Sequence, residues 1–496
     1  VSEPMPLISG AMLRDILLCE RKAALDIHGD QARRDPISAF VRLLWAEGAA
    51  HEEDLLGSDG GGVVDLRGLD RAAREAGTIA AIQSRAPTIY GSVILHDDLI
   101  GMPDILALSS NGYVASDVKS GAATEEPNGA YKKEYLVQVA HYAFMLRELG
   151  VGAGEEAGII DRKGEAVWYD LRLPLGRERI TGLELHLRTL DRAREIRASP
   201  SNSRGALGAR CGMCEWKTLC RAELRAADDL TLIPGLGRAI RPPIETLATT
   251  VADLAAMPTS AIRSVPGVGI DRMRRFVDRA RLLANPHAGP IIREPLSLSR
   301  PPHAIDFDIE ADPLRDIIYL HGFWHCSEGR ERFVHFFAET ADEAGEREAF
   351  ASAVSHFREH RTAHWFHYSA YERTAYRKLQ RRYPDVCDAD EIEDIFAPVR
   401  CTDVYAVIAK RTDWPLSSYG IKSIARACGF KWEDTDPGGA NSIEWYDRYV
   451  QTGDRALRDR IIAYNRDDVI ASQVVRDALF ELETTGAITS FKRPAK

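Results

Sequence analysis

The chain has 496 residues, 45% hydrophobic and 28% charged, with a formal net charge of −10. This fits a globular protein of about three domains and excludes one that attracts nucleic acid through overall positive charge. The eight cysteines are too sparse for a disulfide framework, no apolar run is long enough for a membrane span, and residues 1–12 lack the basic-then-apolar order of a secretory signal; a cytoplasmic protein with reduced thiols is expected.

Leu13, Ile16 and Leu17, then Phe40, Val41, Leu44 and Trp45, recur at helical spacing. Strands are predicted at 92–95, 105–108 and 113–118, with Ser109-Ser110-Asn111-Gly112 turning the second into the third. A helix is predicted over 135–149, a strand pair at 157–160 and 166–171, and a long helix over 177–198, within a first domain placed at 1–227. The segment 228–290 carries two glycine turns between helix-like stretches, Pro234-Gly235-Leu236-Gly237 and Pro266-Gly267-Val268-Gly269. A Pro-rich stretch, 286–302, reads as a linker, and a mixed α/β domain is expected over 303–496.

In the first domain Asp104 starts a strand and Asp117-x-Lys119 ends the next, so a hairpin brings both carboxylates to one end of the sheet. Their repulsion is resolved by a divalent cation; oxygen-only ligands favour Mg²⁺ or Mn²⁺, and the lysine can orient water or stabilise developing charge. Gln138 and Tyr142 share a helical face at i, i+4, and His51 precedes an acidic run. The ordered set His51, Gly101-x-x-Asp104, Asp117-x-Lys119 and Gln138-x-x-x-Tyr142 resembles the RecB-like branch of the PD-(D/E)XK nucleases. The resemblance implies Asp104, Asp117 and His51 as metal ligands, Lys119 as the catalytic lysine, and Gln138 and Tyr142 as supporting and DNA-contacting residues.

Cys211-x2-Cys214-x5-Cys220 can converge on one metal site with Cys19 returning from far upstream, a donor set that suits structural zinc or an iron–sulfur cluster. The arrangement resembles the [4Fe–4S] site of the iron–sulfur RecB-like nucleases, CRISPR-associated or AddB-like, which implies these four residues as cluster ligands. Cys326, Cys387, Cys401 and Cys428 show no metal spacing and read as structural.

The second glycine turn, followed by Arg272, Arg274, Arg275, Arg279 and Arg281, looks like a helix-hairpin-helix. There Gly267 and Gly269 let backbone N–H groups approach a phosphate, and Arg272, Arg274 and Arg275 add attraction to the backbone; a plain helical linker is the alternative.

In the last domain Asp308 and Glu310 lie two apart on a strand, and Tyr464 and Asp468 share a helical face. This pattern resembles the DEDD exonucleases of the ribonuclease-H-like fold, tyrosine subtype. The resemblance implies Asp308, Glu310 and Asp468 as metal ligands, Glu372 in place of the usual aspartate, and Tyr464 positioning the attacking water. Asp403 is a second acidic candidate, Asp467 reads as a solvated neighbour, Ser417-Ser418 as a helix cap, and Lys422 as a residue near substrate.

The whole chain is thus similar to RecB-like nucleases with a ribonuclease-H-like C-terminal domain. The function expected is a metal-dependent nuclease, and the partner expected is DNA, single-stranded or with free ends, with RNA as a second candidate substrate. No G-x-x-x-x-G-K-[ST] loop occurs, so a helicase or other repair or defence protein would be a separate partner. The rival is a non-catalytic nucleic-acid adaptor on the same folds.

Overall fold

A computed structural model describes residues 5–55, 62–125, 129–176, 178–327 and 329–493. The chain divides into two compact units, Val1–Ile37 with Val41–Leu224, and Ser38–Phe40 with Arg225–Lys496. The segment 228–290, expected as a separate domain, therefore belongs with the second unit.

The first unit is built on a six-stranded sheet, in order Ala166–Asp170, Glu156–Ile160, Gly112–Val118, Ile105–Ser109, Thr88–Tyr90 and Val63–Asp65. A smaller sheet joins Ile8–Ser9, Leu99–Gly101 and Ile94–His96. Helix Lys133–Glu148 buries Leu136, Val139, Ala140, Ala143 and Leu146, the face its 3.6-residue spacing marks, in the core shared with Leu106, Ala115 and Ile159. Helix Gly182–Ala198 is closed at its start by a reciprocal Thr181–Glu184 capping box. The first helix, Gly10–His28, is interrupted at Cys19, whose φ of −165° and ψ of 104° are extended.

The second unit begins with short helices around Leu230, Ile244, Leu254, Met273 and Phe276, a core of their own. The stretch expected as a linker pairs Ile291–Ile292 antiparallel to Thr412–Asp413 and buries Leu296. A five-stranded sheet follows, in order Arg330–Phe337, Ile317–Ser327, His303–Asp312, His364–His367 and Cys401–Asp403. The first three strands are antiparallel neighbours, and the last two run parallel to His303–Asp312. On His303–Asp312, Ile305, Phe307 and Ile309 fill one core, while the alternate face carries Asp306, Asp308 and Glu310. The long helix Arg455–Thr485 packs across this sheet. Gly322, paired with Asp308, lets it come close: a Cβ there would overlap the Asn465 side chain. Among the described residues, no helix is long and apolar enough to cross a membrane.

Candidate active sites

The antiparallel register Ile105↔Ser116 sets Asp104 beside Asp117 at the end of the hairpin. Asp104 Oδ2 accepts the Val118 backbone N–H at 2.7 Å, which locks the two strand ends together. Asp117 is 2% exposed and forms an ion pair with Lys119. The Lys119 backbone is tied to the Ile160 carbonyl at 2.8 Å, and its ammonium lies 5.8 Å from the Tyr135 ring centre. Asp104, Asp117, Val118 and Lys119 line a cavity of about 280 Å³ with Ser9, Gly10, Met102, Gln138 and Tyr142.

Gln138 Nε2 donates to the Tyr142 hydroxyl at 3.1 Å, while its Oε1 is buried with no partner among the described residues. Burial, then the charges of Asp117 and Asp104, push the Tyr142 hydroxyl well above its ordinary pKa, so it stays protonated. Gly10 permits the close fit, because a Cβ there would meet Gln138 Cγ and Tyr142 Cε1 at 3.1 Å. His51 is not among the residues lining this cavity. Its Nε2 instead contacts the Asp161 carbonyl at 3.0 Å, one residue beyond the strand that holds Lys119.

The four cysteines, all unpaired, line a second pocket with Arg21, Lys22, Lys217 and Arg221. Arg21 and Lys22 are already paired, with Glu223 and with Asp15 and Asp26, so part of this positive charge is spent before it can offset the thiolate charge that metal ligation requires. The Trp216 N–H reaches Cys214 Sγ at 3.4 Å. Gly205 makes room for Cys220, since a Cβ there would stand 2.8 Å from its Sγ. Burial, followed by the charges of Cys19 and Cys211, pushes the Cys220 thiol up to about 12, so its deprotonation calls for a bound cation.

At the second turn Gly267 has a φ of +78°, and Gly269 caps helix Ile270–Ala284. The arginines divide. Arg274 pairs with exposed Asp271, at 3.4 Å, and Arg272 reaches the Gly235 carbonyl at 3.2 Å from the surface. Arg275 corrects the sequence reading. Its guanidinium points inward to Asp413 at 3.2 Å and to the carbonyls of Ala409 and Thr412, and is spent on structure. Asp413 is fully buried and also binds Arg279 at 2.6 Å and Arg293 at 2.8 Å.

In the second unit, Asp308, Glu310 and Asp468 bring ligand oxygens within 4.8 Å of one another. Asn465 Nδ2 donates to Asp308 at 2.9 Å, and Trp432 Nε1 donates to Asp468 at 2.6 Å. Lys422 Nζ bridges the Tyr464 hydroxyl, at 2.8 Å, and Asp468, at 3.6 Å. Burial, then Asp468, raises Glu310 to about 8; burial, then Glu310 and Asp468, carries Asp308 well above the usual carboxylate range. A divalent cation held here would favour the ionised forms of Asp308 and Glu310.

Glu372 lies close enough to raise Asp308 electrostatically, but its carboxylate accepts from His367 at 3.2 Å. Burial opposes protonation of His367, yet its bonds to Cys401 and Glu372 prevail and raise it to about 10, giving a buried ion pair. Asp403 caps helix Val404–Arg411 and also accepts from Ser369, and Asp467 is buried, not solvated, holding the Glu433 N–H at 2.7 Å. The cap of helix Ile421–Ala427 is Gly420, not Ser417 or Ser418. Sequence reasoning missed Asn465 and Trp432. Asn465 sits one residue past Tyr464, and the signal for it is Gly322, the gap into which it fits.

Residues 22–221 match the family model of the PD-(D/E)XK nuclease superfamily. Residues 305–480 match that of the RNase_H superfamily. The chain therefore joins a domain of each superfamily, and both carboxylate centres fall inside the matched segments. No curated protein gives a significant match to the chain.

Proposed function

We propose that the protein is a metal-dependent DNA nuclease acting on single strands or ends, with its main active site at Asp104, Asp117 and Lys119. The cavity that gathers these three with Gln138 and Tyr142 carries the reading. Asp104 and Asp117 would hold Mg²⁺ or Mn²⁺, which when bound supplies an acidified water and neutralises phosphate charge. Lys119, steered by Asp117, holds its ammonium where negative charge grows on the cleaved phosphate. The neutral Tyr142 hydroxyl and the Gln138 amide offer hydrogen bonds to the strand, and the start of helix Gly10–His28, whose Met12 N–H is capped by the Ser9 hydroxyl, borders the same cavity through Ser9, Gly10 and Ala11. Cys19, Cys211, Cys214 and Cys220 would hold a [4Fe–4S] cluster; a metal assay separates it from structural zinc. Purified protein with Mg²⁺ or Mn²⁺ should degrade labelled single-stranded DNA, and Lys119→Ala should remove most of that activity. Equal rates for the two proteins would sink the assignment.

The second unit fits a DEDD-type exonuclease on DNA or RNA, with Asp308, Glu310 and Asp468 holding metal and Tyr464, gripped by Lys422, positioning water. The ion pair that occupies Glu372 favours the competing reading, a domain that binds nucleic acid without cutting it. Residual cleavage in Lys119→Ala that disappears on adding Asp308→Ala supports the exonuclease. No residual cleavage of DNA or RNA supports the binding module.

A further inference from the structure

Four histidines meet in the second unit, away from the carboxylates. His303 opens the strand His303–Asp312 and His325 lies near the end of its antiparallel neighbour. His356 is in the last turn of helix Glu343–Glu359, and His360 caps that helix. His303 Nε2 stands 3.4 Å from His325 Nδ1, and His325 Nε2 stands 2.9 Å from His356 Nε2. The His360 ring centre is 4.8 Å from that of His325 and 5.5 Å from that of His303. Ligand nitrogens of His303, His325 and His360 all lie within 4.8 Å of one another.

The two nitrogen–nitrogen distances have different meanings. A hydrogen bond between rings is best at about 2.9–3.0 Å, the spacing of His325 and His356. Two imidazoles bound at 2.0–2.1 Å to one tetrahedral ion place their nitrogens about 3.4 Å apart, the spacing of His303 and His325. His356 engages the ring nitrogen of His325 that faces away from His303, so it sets which nitrogen of His325 is left to ligate. Burial favours the neutral imidazole that binds metal: His325 is 6% exposed and His356 5%. His303 and His360 are only partly buried, which leaves a way in. Arg332, opposite His325 in the register, disfavours imidazolium, and Glu359 adds a carboxylate beside His360.

We propose that His303, His325 and His360 form a site for one transition-metal ion of the zinc class, with His356 orienting His325 from behind. Three imidazoles leave a fourth position for water or another ligand. The site lies five residues along the strand from Asp308, about 17 Å away, so the two centres do not share an ion.

Co²⁺ is the probe. The full chain, dialysed free of loosely held metal and titrated with Co²⁺, should develop visible d–d bands of a nitrogen-rich four-coordinate site. These lack the near-ultraviolet charge-transfer absorption that the cysteine pocket would give, and exceed the weak bands of oxygen-bound cobalt. The double variant His303→Asn/His360→Asn should lose these bands and one equivalent of bound metal by elemental analysis, while iron or zinc at the cysteines is unchanged. Identical spectra and stoichiometry in the two proteins would overturn the proposal. If the double variant does not fold, His360→Asn alone decides: with unchanged circular dichroism, loss of the bands supports the site and their persistence refutes it.

Discussion

A buried histidine pair links elements that border the Asp104–Asp117 cavity of the first unit and makes its stability depend on pH. His141 lies on helix Lys133–Glu148 between Gln138 and Tyr142, and its Nε2 bonds to the Ile100 carbonyl at 3.1 Å, just ahead of Asp104 in the chain. A carbonyl only accepts, so His141 Nε2 carries the proton, and His141 Nδ1 accepts from His186 Nε2 at 3.2 Å. Burial lowers His141 to about 4 and His186 to about 3. The unfolded chain therefore takes up protons below pH ~6.5 that the folded unit refuses, so stability is full above that pH and falls as pH drops toward the folded values. At pH 5 the loss is about 2 kcal/mol per histidine. Replacing His186 by leucine removes one bond, costing about 1 kcal/mol at pH 7.5, and removes one of the two titrating rings. The variant should be opened about fivefold more often than wild type at pH 7.5 and about fivefold less often at pH 5. Hydrogen–deuterium exchange of peptides covering Lys133–Glu148, expressed as protection factors, reads both values. Parallel loss of protection in the two proteins, with no crossing, would refute the buried-pair account.

Asp413→Asn leaves Arg275, Arg279 and Arg293 without their shared charge and should cost about 3–5 kcal/mol in urea unfolding. If Arg275→Met instead flattens the salt dependence of DNA binding without destabilising the protein, the inward reading of Arg275 is wrong. Gly205→Ala drives a methyl against Cys220 Sγ and should lower the metal content of the purified protein at least severalfold, measured by elemental analysis; full occupancy would contradict the tight fit at that sulfur. Lys422→Met should cut any second-unit exonuclease rate about 10²-fold, mainly in kcat, because it frees Tyr464 and unbalances Asp468. An unchanged kcat would remove Lys422 from that site.

Much of the first site is legible in the sequence because its geometry is local. Period-two strands joined by a short turn bring Asp104 to Asp117, and helical spacing brings Gln138 to Tyr142. What fails is what depends on distant partners. Nothing near Arg275 reveals that Asp413 waits for it, and an amphipathic helix with arginines on several faces reads as uniformly exposed. Glu372 fills an expected position, yet His367, five residues earlier, claims its carboxylate. The four histidines are scattered in sequence and meet only through strand register and helix packing. The helical segment at 228–290 has a core of its own, which conceals in sequence that Arg275 and Arg279 moor it to Asp413.

The break in the first helix gives one element two attachments. Ser9 and Gly10 border the catalytic cavity, and Cys19, about 13 Å further along the helix axis, borders the cysteine pocket. The backbone is extended at Cys19, where the residue joins Cys211, Cys214 and Cys220 in lining that pocket. The eight residues between Gly10 and Cys19 act as a rod between an anchor and a working end. Under the proposed function, oxidation of these thiols or loss of a metal held by them would release the rod and slow cleavage while leaving Asp104, Asp117 and Lys119 unaltered, so the output of the proposed nuclease would track the redox state around it.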